Sequence, residues 1–194
     1  GGPPRCHPFP GTLNMIQGCC LISVSPEQTR EVGRILGSLL EKPVVIFLIG
    51  EMGGGKTCFT QGIGAGIGGA AGLRVTSPSY TLMNFYPGPI DLYHFDLFRL
   101  GGGEDLEDIG FAEYLRKNGV VVVEWADRIE YSGYDGLCIH FEYLSETRRK
   151  LTFSALGLPG EKLLRRFCRE VEGRVETLPG VFPGAVCEEQ DDTV

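Results

Sequence analysis

The chain contains 194 residues, of which 42% are hydrophobic, and its formal net charge at pH 7 is −7. Because domains usually contain about 100–200 residues, this length and apolar content predict one α/β domain with a sizeable core. No stretch approaches the about 18 apolar residues of a membrane-spanning helix, and residues 1–18 lack the regions of a secretory signal. A soluble, cytoplasmic protein without a membrane partner is expected, and an organelle is the open alternative.

The two ends of the chain differ from its middle. Residues 1–18 are rich in Gly and Pro and have no apolar period, which predicts a disordered extension or a cloning artefact. Ser25 followed by Pro26 is typical of a helix start. Apolar periodicity fades from residue 171 and acidic residues gather, which predicts a mobile tail over 171–194. The predicted domain therefore covers residues 19–170.

A phosphate-binding loop follows the first predicted buried strand. The apolar run 44–49 leads into residues 50–57, which read G-E-M-G-G-G-K-T and match G-x-x-x-x-G-K-[ST]. In such a loop the backbone N–H groups converge on phosphate oxygens, Lys56 places a positive charge against them, and the Thr57 hydroxyl can bind Mg²⁺. A helix is predicted over 56–67, so the loop has its required context. A merely Gly-rich turn would leave the lysine and the threonine unexplained.

That predicted helix is unusually rich in glycine. Gly62, Gly64 and Gly66 each cost about 1 kcal/mol relative to Ala in a helix interior. Close packing on the sheet is the expected compensation.

A polar segment and a hairpin come next. Thr76-Ser77-Pro78-Ser79 is a candidate switch, because hydroxyl groups on a loop can respond to a γ-phosphate and its metal. An ordinary surface turn is the commoner explanation of Ser-Pro-Ser. Residues 81–97 are predicted to form a β-hairpin around the turn 87–89.

Two acids stand where predicted strands end, the edge at which open α/β sheets bind ligands. Glu124 ends the apolar run 120–123 and could hold Mg²⁺, or be a solvated acid. Asp96 shares one strand face with His94 and Phe98. It could assist the metal, orient the attacking water, or cap the following turn.

Four other features of the sequence have simpler interpretations. Trp125, the only tryptophan, is either a core anchor or a lid near the nucleotide. The seven scattered cysteines contain no C-x-x-C and are interpreted as reduced thiols. His94 and His140 are interpreted as ordinary histidines with satisfied hydrogen bonds. The acidic surplus in 91–194 argues against binding nucleic acid unaided.

The order of predicted elements indicates an α/β fold of the P-loop NTPase type. The run 120–123 is best explained in a parallel sheet that is covered on both faces. Strands over 137–144 and 150–155 are joined by a short turn and add an antiparallel pair. The expected fold is a mostly parallel central sheet flanked by helices, with antiparallel hairpin additions.

Four motifs in this order resemble the TsaE (YjeE) family of small P-loop ATPases. They read G-E-M-G-G-G-K-T, S-P-S-Y-T-L, Y-H-F-D-L-F-R-L and V-V-E-W-A-D, and the resemblance runs from about residue 25 to 155. The chain departs from the family pattern at Ser79, where Thr is usual, and at Phe98, where Tyr is usual. Gly54 replaces the usual Ala, which is harmless in a loop that binds through backbone N–H groups.

The resemblance implies Mg²⁺-dependent hydrolysis of ATP to ADP in support of threonylcarbamoyladenosine formation at adenosine 37 of tRNAs reading codons that begin with A. It implies a TsaD–TsaB heterodimer as partner, with tRNA reached only through that complex. Asp96 would be needed for hydrolysis, and Thr57 with Glu124 would hold the metal. The remaining implied nucleotide neighbours are Met52, Gly53, Gly54, Gly55, Lys56 and Trp125, with Thr29, Asp127 and Arg148 as weaker ones.

Two other functions are compatible with the loop. A small-molecule kinase would need a second pocket and usually an Arg-bearing lid, and the sequence shows no Arg-rich insertion. A nucleotide-gated assembly factor would need ATP binding, with hydrolysis incidental. Arg99 and Arg148 are candidates for an arginine finger. Without a partner, the chain is expected to have low ATPase activity. The preference for ATP over GTP and the oligomeric state stay open.

Overall fold

The computed structural model describes residues 15–41, 43–68, 75–78, 81–100, 110–131, 133–174 and 182–184, with the backbone alone for 15–18 and 182–184. Ser79 of the candidate switch lies outside the described residues. So do 1–14, 175–181 and 185–194 of the two predicted ends.

Eight strands form one mixed sheet within these residues. They are β1 Met15–Ser23, β2 Val44–Gly50, β3 Met83–Tyr86, β4 Asp91–Asp96, β5 Gly119–Glu124, β6 Gly136–Tyr143, β7 Arg149–Leu156 and β8 Phe182–Gly184. Their order across the sheet is β3-β4-β5-β2-β6-β7-β1-β8. The central strands β4, β5, β2 and β6 are parallel, and every other described pairing is antiparallel. The expected fold class is confirmed.

The described residues also form four α-helices and one 3₁₀ turn. They are α1 Pro26–Ser38, α2 Lys56–Gly66, α3 Phe111–Leu115, the 3₁₀ turn Ala126–Arg128 and α4 Gly157–Glu172. Helix α1 begins as predicted: the Ser25 hydroxyl accepts a hydrogen bond from the Gln28 backbone N–H at 3.2 Å. The Gln28 side chain in turn accepts one from the N–H of Val24, the residue before the N-cap, at 2.8 Å, in an arrangement close to a capping box. None of these helices is long and apolar enough to cross a bilayer.

Both faces of the parallel centre are covered, which explains its unbroken apolar strands. Helices α1, α2 and α4 pack on one face over side chains that include Ile46 and Val122. Helix α3 and the 3₁₀ turn pack on the other face over side chains that include Phe47 and Val123. Because β2 and β5 lie side by side in the middle, the loops that follow them open at one edge of the sheet.

Two glycines of α2, Gly62 and Gly66, pack against α1, so the predicted contact with the sheet is wrong for them. A Cβ on Gly62 would lie 2.0 Å from the Arg30 carbonyl oxygen, and one on Gly33 would lie 2.3 Å from the Phe59 carbonyl oxygen. Gly66 meets α1 in the same way. The two helix backbones can touch directly because glycine has no side chain that would hold them apart.

Gly62→Ala is therefore expected to lower the free energy of unfolding by about 1–3 kcal/mol, the usual cost of overpacking. At an unobstructed helix position the same exchange stabilises by about 1 kcal/mol, so the sign of the change is diagnostic. Urea denaturation measures it. Ala65→Gly, at an exposed position of α2, is the control and should cost only the helix propensity. A more stable Gly62→Ala protein would contradict the close helix contact.

The folded region extends beyond both predicted boundaries. Strand β1 begins at Met15 and pairs with β7, so the prediction of disorder is wrong for 15–18. A register shift between Gln17 and Cys19 interrupts the period-two alternation of side chains in this strand. The apolar pattern of the sequence therefore did not predict it. At the other end α4 continues to Glu172 and β8 pairs with β1, so the predicted mobile tail is wrong for these residues too.

Candidate functional site

The candidate site is a cleft of about 490 Å³ at the carboxyl ends of the central strands. Residues 52–58, from the loop that follows β2 and from the first turn of α2, line one side of it. The other side is lined by Ser77, Asp96, Phe98, Arg99, Glu124 and Trp125. Two predicted acids and the loop, separated by up to about 70 residues of chain, therefore meet in one place because β2, β4 and β5 are parallel neighbours.

The loop has the backbone of an anion-binding turn. Gly53 and Gly55 have φ values of 73° and 97°, in the left-handed region that favours glycine. The Gly54 N–H donates to the Glu51 carbonyl at 3.1 Å. A Cβ on Gly55 would lie 3.5 Å from Cγ2 of Thr29, so the first turn of α1 supports the loop from behind. Thr29 thus lies against the loop, but it is a buried residue outside the cleft lining, and its place beside a nucleotide stays a prediction.

Lys56 is turned back onto its own loop. Its ammonium donates to the carbonyl oxygens of Gly50 at 2.6 Å and Glu51 at 2.8 Å, and lies 3.9 Å from the ring centroid of Trp125. Burial lowers the pKa of Lys56, and this shift is opposed by the carboxylates of Glu124, Asp127 and Asp96. An anion entering the cleft would meet a desolvated cation that is held by neutral carbonyl groups. The free energy of binding between such a cation and a phosphate is favourable, because burial has already removed water from the ammonium.

Glu124 is the most confined of the cleft acids. Its carboxylate accepts a hydrogen bond from the Thr57 hydroxyl at Oε2, 3.1 Å, and contacts His94 Nε2 through Oε1 at 2.7 Å. The side chain of Glu124 is 3% exposed and that of His94 is 0% exposed. The open alternative of a solvated acid at a strand end is therefore wrong.

Asp96 faces the cleft and also caps the turn that follows β4. Its Oδ1 accepts from the Phe98 backbone N–H at 2.9 Å, and its Oδ2 accepts from the Ser77 hydroxyl at 2.5 Å. The alternative of a turn cap is confirmed by the Phe98 contact, while a role of Asp96 toward the metal or the attacking water stays a prediction. The Ser77 contact ties the two motifs across the cleft.

Trp125 is both a core contact and a wall of the cleft. It is a non-glycine residue with a left-handed backbone, φ 61°, a conformation that costs about 1–3 kcal/mol and is held by its surroundings. Its ring lies 4.9 Å from the ring of Phe98 and packs on the core cluster around Phe47. Arg128 lies over the same rings, 5.6 Å from that of Trp125. These contacts aim the indole at Lys56.

Some implied nucleotide neighbours lie elsewhere. Asp127 and Arg148 are not among the residues that line the cleft, although the carboxylate of Asp127 acts on Lys56 through space. The neighbouring Arg149, which the sequence analysis did not select, donates to the Gly53 carbonyl at 2.9 and 3.3 Å. Its guanidinium also stacks on Tyr143, 4.5 Å from the ring centroid. The turn between β6 and β7 is thereby tied to the phosphate-binding loop.

His94 is the second residue that the sequence analysis missed. It is not the satisfied histidine that was expected, since its Nδ1 has no hydrogen-bond partner among the described residues. The period-two pattern that placed His94 and Asp96 on one strand face was the available signal. The contact with Glu124, on a different strand, was not visible in it.

Comparison with known proteins identifies the family. A sequence model described as "Threonylcarbamoyl adenosine biosynthesis protein TsaE" matches residues 23–151. The chain belongs to the TsaE family. It is 38% identical to the tRNA threonylcarbamoyladenosine biosynthesis protein TsaE of Treponema pallidum over 133 residues, which is 68% of this chain and 96% of that protein. It is 34% identical to the Bacillus subtilis TsaE over 76% of this chain and 92% of that protein.

A solved structure supports the same conclusion. The crystal structure of YdiB from Bacillus subtilis superposes with a TM-score of 0.64 at 27% sequence identity, covering 80% of this chain and 98% of that one. The resemblance noted from four motifs is thus confirmed, together with the P-loop NTPase fold. TsaE family membership supports a role in threonylcarbamoyladenosine biosynthesis of tRNA.

The cleft of this TsaE-family chain has donor groups that suit Mg²⁺. The described residues contain no group of three or more His, Cys, Asp or Glu side chains that could hold a metal by themselves. Mg²⁺ in phosphate-binding sites needs only one or two protein oxygens, because phosphates and waters fill the other positions. The Thr57 hydroxyl and the Glu124 carboxylate, 3.1 Å apart, are such a pair of hard oxygen ligands.

Phe98, where the TsaE family usually has Tyr, makes contacts that a phenylalanine can supply. The residue acts on Asp96 through its backbone N–H and on Trp125 through its ring face. Neither contact needs a phenol hydroxyl.

Proposed function

We propose that this chain is the ATP-binding and Mg²⁺-dependent ATP-hydrolysing subunit required for threonylcarbamoyladenosine formation at adenosine 37 of tRNAs that read codons beginning with A. It would act with a TsaD–TsaB heterodimer and reach tRNA only through that complex. The observation that carries the nucleotide part is the meeting of Lys56 and Thr57 with Glu124 and Asp96 in one cleft. TsaE family membership carries the choice of pathway.

Phosphate binding falls to the loop and to Lys56. The N–H groups of residues 53–57 and the positive end of α2 favour an anion at this place. When phosphates bind, the Lys56 ammonium exchanges the carbonyl oxygens of Gly50 and Glu51 for charged phosphate oxygens. That exchange is favourable because a phosphate oxygen carries the charge opposite to that of the ammonium, and Coulomb attraction between such groups is strong in a buried site. Trp125, in contact with Lys56, would lie close to the nucleotide.

Thr57 and Glu124 would hold Mg²⁺, which when bound neutralises part of the charge on the phosphates. In phosphoryl transfer the protein contributes mainly positioning and electrostatic stabilisation, and there is little covalent chemistry for it to do. The burial of Glu124 serves positioning, since a carboxylate at the end of a core strand has few rotamers open to it.

Asp96 would orient the attacking water. Both acids have partners on both carboxylate oxygens. Those of Glu124, His94 and Thr57, lie on a strand and in a helix. Asp96 Oδ2 instead meets Ser77, on the segment 75–78 outside any helix or strand, so a rearrangement of that segment would change the surroundings of this oxygen at the cleft.

The test is the ATPase turnover of the chain alone and with the TsaD–TsaB pair. We expect slow turnover alone and clear stimulation by the pair, since the residues that line the open cleft would be completed by a partner surface. An unstimulated rate with the pair would count against the proposed partnership. Rapid phosphate transfer to a small metabolite would instead support the kinase alternative.

A further inference from the structure

We propose that His94 is a positioning residue for the metal-binding carboxylate, holding Glu124 so that one of its oxygens is presented to Mg²⁺·ATP. This inference rests on the proposed function, because it concerns the same cleft. It assigns a role to a buried histidine that the proposed phosphate and metal contacts do not use.

The sheet places His94 and Glu124 on adjacent parallel strands. Asp96 is the register partner of Glu124, and His94 is the partner of Val122, so His94 lies one pleat behind Asp96 on the same face. From there its Nε2 reaches Glu124 Oε1 at 2.7 Å. Strand β4 therefore carries one acid into the cleft and, two residues earlier, the imidazole that contacts the other acid.

The two oxygens of Glu124 consequently differ. Oε1 is bonded to the imidazole on the inner side, and Oε2 is bonded to the Thr57 hydroxyl, which lines the cleft. With Oε1 fixed, rotation of the carboxylate about its terminal torsion, which is otherwise broad, is restricted. Oε2 is then the oxygen left for a cation.

Hydrogen-bonding capacity indicates the direction of this contact. A carboxylate that binds Mg²⁺ can only accept hydrogen bonds, so Nε2 is the donor and Glu124 Oε1 the acceptor. Nδ1 is buried and has no partner among the described residues. The contact with Glu124 is therefore the one hydrogen bond that the described residues give to this imidazole.

An imidazole suits this place better than the side chain of an Arg or a Lys would. An Arg or Lys at position 94 would neutralise Glu124 and compete with Mg²⁺ for it. The imidazole orients the carboxylate and leaves its charge available to the metal. Partners that orient metal ligands in this way typically contribute 10- to 100-fold in metal affinity or activity.

The experiment measures ATP affinity by calorimetry in Mg²⁺ and again in EDTA, and takes the ratio of the two dissociation constants. His94→Met fills the space without a donor, and His94→Gln restores an N–H near the position of Nε2. Val122→Ala is the matched control, because it removes core volume at the register partner of His94 without touching Glu124. Thermal unfolding is recorded for every variant.

We expect His94→Met to lose about tenfold or more of the Mg²⁺-dependent tightening, and its affinity in EDTA to equal that of the wild type. His94→Gln should recover most of the loss. Val122→Ala should lower the melting temperature and leave the ratio unchanged. In a Glu124→Gln background, His94→Met should have no further effect on the ratio, since the carboxylate through which it acts is gone.

Retention of the wild-type ratio by His94→Met would overturn the inference, and so would equal losses in His94→Met and His94→Gln. An effect of Val122→Ala as large as that of His94→Met would do the same, because it would assign the loss to packing. Wild-type protein whose ATP affinity does not depend on Mg²⁺ would instead overturn the proposed function. The two failures are thereby distinguished.

Discussion

Lys56→Ala is expected to abolish measurable ATP hydrolysis in the assembled complex, with a fall in turnover of about 100- to 1,000-fold or more. That is the usual loss when one electrostatic contact to the developing charge is removed. Lys56 is the cation buried in the cleft, and its neighbours Gly50 and Glu51 offer only carbonyl oxygens, so a phosphate is its natural counter-charge. Steady-state phosphate release in the presence of TsaD–TsaB measures the effect.

The controls separate lost chemistry from lost folding. Lys117→Ala removes a lysine that stacks on Tyr114, just before β5 at the opposite edge of the sheet, and should leave turnover unchanged. Lys56→Ala should melt near the wild-type temperature, since the desolvated ammonium contributes little to stability. Wild-type turnover by Lys56→Ala would refute the assignment of the loop as the nucleotide site.

Asp96→Asn is expected to bind ATP with nearly wild-type affinity and to hydrolyse it at least about 100-fold more slowly. A carboxylate that positions or deprotonates the nucleophile typically contributes 100- to 10,000-fold. The amide keeps the shape and one acceptor oxygen, so the bond from the Phe98 N–H should persist. Single-turnover hydrolysis and equilibrium binding, measured on the same preparation, distinguish the two effects.

Asp91→Asn, at the other end of β4, is the matched control and should leave both measurements unchanged. The consequence for modification is the sharper test. If hydrolysis drives repeated cycles, Asp96→Asn should support no more than about one round of tRNA modification per complex. Full multiple-turnover modification by Asp96→Asn would favour the alternative of a nucleotide-gated assembly factor.

The central features of the site could be predicted because their signals are local. The loop is contiguous in sequence, and Glu124 and Asp96 each end an apolar or alternating run, so strand periodicity alone placed them at one edge of the sheet. The hairpin over 81–97 was also predicted and is seen as β3 and β4. Each of these patterns is complete within one continuous stretch of the chain.

The features that were missed depend on contacts between distant parts of the chain. His94 and Glu124 are separated by 30 residues, and Arg149 and Gly53 by 96. In the pair Arg148-Arg149, only the twist and register of β7 decide which guanidinium reaches the loop. Gly62 is a further example. A glycine in a helix indicates that another element packs closely against it, but the sequence does not show which element that is.

The glycine contact between α1 and α2 makes the phosphate-binding loop part of a rigid block. The two helix backbones touch at Gly33 and Gly62, and Thr29 at the start of α1 lies against Gly55, so neither helix can shift without the other. On the opposite wall, Ser77 lies outside any helix or strand, in a segment that side-chain hydrogen bonds from Gln61, Asn84 and Tyr86 attach to α2 and β3. We therefore expect structural change during a nucleotide cycle to be one-sided: the phosphate-binding loop keeps its position, and the segment that contains Ser77 moves relative to it.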